Sequence, residues 1–232
     1  MDELHDPKLF SSYLRDFQLN DVFHGHILTH LSLWHCQQGE VICSKGDNRK
    51  YLYLLVKGKL KIFTTTKEGK TFILCFKNPL EAIGDIEYVQ KTEMVNTVEA
   101  VTDVHMLRIS HDALSAHASD DPAFLMFLLK GITNKFYIKS NDLSFHLLYP
   151  VEVRLASYLL SVFFDEKNVS YKMTTNTFRL TDAASLIGTS YRHINRVIQQ
   201  FCDKGLIERK KGEIIIKDRE GLMQIAEHNI YE

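Results

Sequence analysis

The chain has 232 residues, 45% hydrophobic and 25% charged, with a formal net charge of −1 at pH 7. That length accommodates two modest domains with their own cores, or one large one. The near-neutral balance excludes nucleic-acid binding through bulk charge, so any basic patch must be local. No apolar run approaches the roughly 20 residues of a membrane span. The N-terminus "MDELHDPKLF" carries acids in place of the apolar core of a secretory signal. Cys36, Cys43, Cys75 and Cys202 are scattered without a CxxC pair, which points to a reducing, cytoplasmic compartment.

Leu9, Phe10, Tyr13, Leu14 and Phe17 form one stripe and predict a helix over 8–20. "HGHILTHLSLWHC" then gathers His24, His26, His30, His35 and Cys36 within thirteen residues. Imidazole and thiolate suit zinc or iron. His26 and His30 would share a helical face, but the spacing fits no closed four-ligand site. Surface histidines near a helix end are the competing reading, and neither a metal nor a cofactor is assigned.

Residues 38–110 change character. "EVICSKG", "YLYLLVKGKLKIFTTT", "KTFILCF" and "DVHMLRIS" are short apolar or alternating runs, with turn residues at Gly46-Asp47, Lys57-Gly58 and Glu68-Gly69. They predict an all-β sandwich or barrel. Asp121-Pro122 predicts a helix start, Asp as cap and Pro at the first helical position. The seam Leu125, Leu129, Ile132, Phe136, Lys139, Leu143, His146 follows at 3–4 spacing and predicts a dimerisation helix. Packing against its own barrel is the alternative, although at about 40 Å the helix is too long for the barrel alone to cover.

Pro150 predicts a break and a hinge. A helix is expected over 151–164, burying Val153, Ala156, Leu159, Leu160 and Phe163. "DEKNVSYKMTTNT" reads as a polar loop or short hairpin. Two short helices follow, near 181–187 and 190–204, and Gly205 stops the second. "LIERKKGEIIIKD" reads as two strands joined at Lys211-Gly212, and "REGLMQIAEHN" as a closing helix.

The second short helix carries the chemistry. Ser190 is a good N-cap. Ile194, Val197, Ile198 and Phe201 fall at i, i+3, i+4, i+7, a core stripe. Arg192, Asn195, Arg196 and Gln199 take the opposite face, with Tyr191 at the tip. Helix, glycine-containing turn and such a second helix make a helix-turn-helix, whose second helix enters the major groove. Arginine matches guanine edges there, and Asn or Gln matches adenine. A solvated polar face is the competing reading. From Thr189 to Lys211, however, six cations (Arg192, Arg196, Lys204, Arg209, Lys210, Lys211) stand against Asp203 and Glu208, a net of +4. The basic hairpin occupies the place of a wing on the phosphate backbone.

"LTDAASLIGTSYRHINRVIQQFCDKGLIERKKGEIII" resembles the DNA-binding end of the CRP/FNR superfamily of bacterial transcription regulators. "VKGKLKIFTTTKEGKTFILCFKNPLEAIGDIE" resembles that family's cyclic-nucleotide-binding-type barrel. The pairing of "IGDIE" with "GTSYRHINR" is most similar to its YeiL-type branch. The resemblance implies an α+β chain: N-terminal helix and jelly-roll sensor barrel over 1–120, dimerisation helix over 121–149, winged helix-turn-helix over 150–232. It implies a homodimer on an inverted repeat in double-stranded DNA, with RNA polymerase a candidate partner, an unidentified small effector and no membrane. Tyr191, Arg192 and Arg196 fall at base-reading positions where the best-known members carry Arg, Glu and Arg, so a different half-site is expected. Thr189, Ser190, His193, Asn195, Gln199, Lys210 and Lys211 complete the expected DNA-binding set.

Nucleotide-binding members hold the ribose with a Gly-Glu pair and the cyclic phosphate with an arginine. Here Gly84 is followed by Asp85, and the arginine position falls on Met94 or, with a one-residue slip, Val95. Neither neutralises a phosphate, whose uncompensated burial costs several kcal/mol, so the effector is not expected to be a cyclic nucleotide. Ile83, Gly84, Asp85, Ile86, Met94 and Val95 form the expected effector pocket. Lys139, on the seam of the long helix, is the cation that could reach it, against the plainer reading of an exposed seam edge. A redox- or metal-responsive regulator using barrel cysteines or histidines is the alternative. Cys36, Cys43 and Cys75 would have to converge for that, against the plainer role of buried free thiols. His24-x-His26 invites comparison with metal-dependent cupins, but it precedes the strands and lacks a nearby following glutamate. No GxSxG, P-loop or GxGxxG occurs, so no enzyme activity and no catalytic residue is expected.

Overall fold

Asp6 opens the first helix, α1 (Pro7–Asp16): its carboxylate accepts from the Lys8 and Leu9 amides, both at 3.0 Å, with Pro7 in the first turn. The helix stops short of the expected residue 20 because Gln18 takes a left-handed conformation, φ 54°. That turn drives Leu19 and Phe23 into the core, where both are fully buried. The computed structural model describes residues 1–48, 50–65, 71–162, 172–173, 180–210 and 213–227. The turns read at Glu68-Gly69 and Lys211-Gly212, Phe163, and most of the 165–177 segment lie outside the described residues. The chain divides into two units, Met1–Phe136 and Tyr137–Glu232. The division falls inside the helix that was read as a segment of its own over 121–149.

The first unit holds two antiparallel sheets. One contains β1 (Asp2–Glu3), β2 (Ser32–Cys36), β4 (Tyr51–Lys57), β7 (Glu81–Ile83) and β9 (Val104–Ser110) in the order β1-β2-β9-β4-β7. The other contains β3 (Val41–Cys43), β5 (Leu60–Thr65), β6 (Thr71–Lys77) and β8 (Thr97–Ala100) in the order β3-β8-β5-β6. Strand β4 shows why the run "YLYLLVK" lacks a polar alternation. Tyr53 and Leu55 join a core with Ile42, Leu60, Val98 and Met106 from strands of both sheets. Leu52, Leu54 and Val56 join a second core with Leu14, Phe23, Leu114 and Phe124 from helices and turns. Both faces are buried, so both are apolar.

Strand β2 takes up the second half of the histidine-rich segment, whose histidines were read as surface residues near a helix end. Leu33 and Cys36 are buried, and His35 pairs in register with His105 on β9. The helices α2 (Asp85–Gln90) and α3 (His111–His117) were not expected. Each is under two turns long, too short for a periodic signal. Helix α4 (Pro122–Leu148) starts where the sequence placed it, with Asp121 Oδ1 accepting from Ala123 N at 2.8 Å. Its Phe124 and Leu128 are buried.

The second unit continues through α5 (Val151–Val162), α6 (Leu180–Ile187), α7 (Tyr191–Asp203) and α8 (Arg219–Ile225). Strands β10 (Lys172–Met173), β11 (Ile207–Lys210) and β12 (Glu213–Ile216) form a sheet in the order β10-β12-β11. Leu155, Leu159, Ala183, Ile187, Ile194, Phe201, Ile214 and Leu222 belong to one core there. No described helix is long and apolar enough to cross a membrane.

Candidate nucleic-acid interface and effector cavities

The turn between α6 and α7 is set by Gly188, φ +70°. Its amide bonds to Ser185 O and that of Thr189 to Ala184 O at 2.9 Å, the paired closure of a glycine-ended helix. Arg154 on α5 supports this corner from beneath, donating to Ile187 O. His146 meets Arg154 Nη1 at 2.9 Å and Ile187 O at 3.1 Å. His146, read as the end of the α4 seam, is therefore engaged with the helix-turn-helix, because its ring finds polar partners there. Burial and the adjacent guanidinium hold its pKa below the usual imidazole range.

Ser190 Oγ accepts from His193 N at 3.1 Å and caps α7. Ile194, Val197, Ile198 and Phe201 are at most 1% exposed. The opposite face carries exposed Tyr191, Arg192, Arg196 and Gln199, with His193 and Asn195 half-buried. Asn195 Nδ2 donates to Tyr191 O at 3.0 Å, while its Oδ1 accepts from Arg209 Nη1 at 2.9 Å. Arg196 lies 2.9 Å from His193 Nε2, and Gln199 donates to Asp203 at 2.8 Å. Among the described residues, Arg192 has no intramolecular partner. Lys210 is exposed at the end of β11. Lys211 lies outside the described residues. Arg209 was counted only as charge; its tie to α7 was not legible, because it depends on the register of β11 against the helix. Cys202 is half-buried against the same core.

In the first unit, Gly84 precedes α2 with φ +89°, and a Cβ there would lie 2.4 Å from Tyr51 O. Only glycine fits so close to β4, which fixes the entry of the next residue, Asp85. Asp85 is buried, and both its oxygens lie 2.8 Å from Lys135 Nζ on α4. The same ammonium donates to Ala82 O at 2.6 Å and lies 3.0 Å from Glu81, which also pairs with Lys77 at 3.0 Å. Burial alone would lower the Lys135 pKa, but Asp85 and Glu81 outweigh it and hold it above the ordinary lysine range.

The lysine on α4 that meets Asp85 is thus Lys135, not Lys139. Lys139, one turn later, pairs with Asp142 at 3.0 Å. Sequence spacing singled out Lys139 because it continues the seam, and its plainer reading as an exposed seam edge holds; Lys135 lies off that stripe and was missed. Asp85 lines a cavity of about 320 Å³ with Leu80, Phe127, Asn134 and Lys135. Met94 lines a different one, about 340 Å³, with Cys43, Asp47, Tyr51 and Tyr53. Ile83 is buried, while Ile86 and Val95 are exposed. Val95 N donates to buried Glu87 at 3.0 Å. The expected pocket is therefore divided between these two cavities and the surface.

Burial raises the Cys36 thiol to about 11 and the Cys43 thiol to about 12. Among the described residues, no cysteine belongs to a cluster of groups placed to hold a metal.

Residues 33–134 match the cyclic nucleotide-binding domain family, and residues 153–225 match the Crp-like helix-turn-helix domain family. The chain is 25% identical over 206 residues to the regulatory protein YeiL of Escherichia coli O157:H7, covering 89% of this chain and 90% of that protein. It is 22% identical over 191 residues to the CRP-like cAMP-activated global transcriptional regulator of Mycobacterium tuberculosis, with 82% and 85% covered. Its fold is shared with a CRP/FNR-family transcriptional regulator of Thermus thermophilus, TM-score 0.71 at 19% identity, over 84% of this chain and 98% of that one. With a barrel of the one kind followed by a helix-turn-helix of the other, and relatives aligned across most of both, the chain belongs to the CRP/FNR superfamily of transcription regulators.

Proposed function

We propose that the protein is a homodimeric, cytoplasmic transcription regulator that reads an inverted repeat with α7. The observation that carries this is the division of α7: a fully buried stripe on one side, and Arg192, Asn195, Arg196 and Gln199 on the other. Arg192, exposed and without a partner among the described residues, is free to meet a base edge. Arg196 exchanges its His193 contact for one. Lys210 and Lys211 serve the phosphate backbone, and Thr189, Ser190, Tyr191 and His193 shape the entry of the helix. Dimerisation uses the exposed seam of α4, where Leu125, Leu129, Phe136 and Leu143 are 46%, 55%, 75% and 60% exposed, with Ile132 half-buried between them. An apolar row of this kind is anomalous on a free surface. Pairing it would set two recognition helices about 34 Å apart, one turn of B-DNA. RNA polymerase is the partner through which bound protein would act.

The effector in this reading is not a cyclic nucleotide. Met94 is buried and uncharged, and Asp85 is already paired with the Lys135 ammonium. Selection of bound DNA from random sequence tests the core of the proposal. Arg192→Ala should lose about 1–3 kcal/mol of specific binding and relax the preference at one base pair, whereas Lys210→Ala should weaken all sequences alike and flatten the salt dependence. Unchanged preference in both Arg192→Ala and Arg196→Ala would remove α7 as the reader.

A further inference from the structure

Three histidines meet on the surface of the first unit, none of them lining either cavity above. His26 and His30 lie on the 3-10 turn Gly25–His30, and His117 is the last residue of α3. The ring centroids are 5.1 Å apart for His26 and His30, 4.8 Å for His26 and His117, and 4.9 Å for His30 and His117. One ring nitrogen of each lies within 4.8 Å of the other two. The rings are exposed, but their roots are held. Ile27 and Leu31 beside the first two, and Leu114 and Ala118 around the third, are buried in one core. The backbones therefore stay in place while the imidazoles are free to turn. Three nitrogens at about 2.0–2.1 Å from one tetrahedral ion stand about 3.3 Å from one another. Closing from at most 4.8 Å to that spacing takes about 1.5 Å per pair.

We propose that His26, His30 and His117 bind one divalent transition-metal ion of the zinc class, leaving a fourth position for water or an exogenous ligand. Three imidazoles without a carboxylate suit zinc, nickel or copper and disfavour magnesium or calcium. The site stands at the root of α4. Phe23 packs on Phe124 and Phe127, with centroids 5.9 and 6.1 Å away, and His24 Nε2 lies 3.3 Å from Asp121, the cap of that helix. An ion would tie the 23–30 segment to the corner between α3 and α4. That this tie serves as a regulatory input rests on the regulator reading above; the binding itself does not.

The test uses untagged full-length protein freed of metal by chelator, titrated calorimetrically with zinc and then with nickel. One ion per chain is expected at micromolar affinity or tighter. Binding should weaken at least about tenfold in His117→Ala and in His26→Gln and stay unchanged in His5→Ala. Zinc should raise the thermal midpoint of the wild type and not of His117→Ala. No binding of either ion, or equal binding by wild type and His117→Ala, would overturn the proposal. Metal binding that survives in a protein unable to retain any DNA would confirm the site and count against the regulator reading alone.

Discussion

Removing the Lys135 ammonium while keeping its stem, as in Lys135→Met, leaves Asp85 without its cation, beside a Glu81 that keeps only Lys77. The side chains of Asp85, Glu81 and Lys135 are only 3%, 13% and 19% exposed. At an effective dielectric near 20, opposite charges 2.8 Å apart attract by about 6 kcal/mol. Desolvation of both ions returns several kcal/mol of that, so the intact cluster has little net worth. Breaking it by removing one partner is a different matter, and costs about 3–5 kcal/mol, since the carboxylates stay buried. Urea unfolding followed by fluorescence of Trp34 isolates the effect, because this single tryptophan lies on β2 of the first unit. With a slope of about 2 kcal/mol per molar, the midpoint should fall by roughly 2 M. Lys135→Met combined with Asp85→Leu should recover most of the loss, since the cavity beside Asp85 has room for the larger side chain. The Lys135 pKa is raised on folding, so the cluster's contribution is complete below the unfolded lysine pKa of about 10.4 and is lost as pH rises through the higher folded value. A Lys135→Met protein within about 1 kcal/mol of wild type, or a double variant no better than the single, would refute the reasoning.

Leu129→Glu with Phe136→Glu should convert a dimer to a folded monomer in sedimentation, because both side chains are exposed in the single chain and neither change burdens its core. An unchanged dimer would put the interface elsewhere. Cys43 should resist iodoacetamide at pH 8 in folded protein, since a thiol with a pKa of about 12 is ionised in only about one molecule in ten thousand there; reaction as fast as at the half-buried Cys75 would contradict its burial. Ser190→Ala should destabilise the start of α7 by about 1 kcal/mol, read as faster amide exchange at His193, whose N–H the serine accepts. Unaltered exchange there would mean that the cap contributes nothing.

What could be read in advance depended on whether the information was local. Asp121, Ser190 and the Ile194–Phe201 stripe need only their neighbours along a helix, and they stand where the pattern put them. So do the strands around Tyr51–Lys57, whose length and β-branched or aromatic content are local properties. Lys135, Arg209 and His117 were missed for the opposite reason. Each owes its place to a partner 50, 14 or about 90 residues away, and no periodicity encodes such a distance. Lys139 shows the converse case: it was weighed for the pocket against an exposed seam edge, and the edge is where it lies. A residue that continues a pattern attracts a role that a neighbour off the pattern fills.

The bond from Arg209 to Asn195 has a consequence for how such a surface changes over time. The hairpin arginine is not free to follow a phosphate while the helix asparagine follows a base; each limits the rotamers of the other. An exchange at position 195 to a residue without an acceptor would release a guanidinium beside the helix and alter its shape and charge together. Substitutions at 195 and 209 are therefore expected to arise as pairs in descendants of this chain, and a designer grafting a new recognition face onto α7 would have to carry β11 with it.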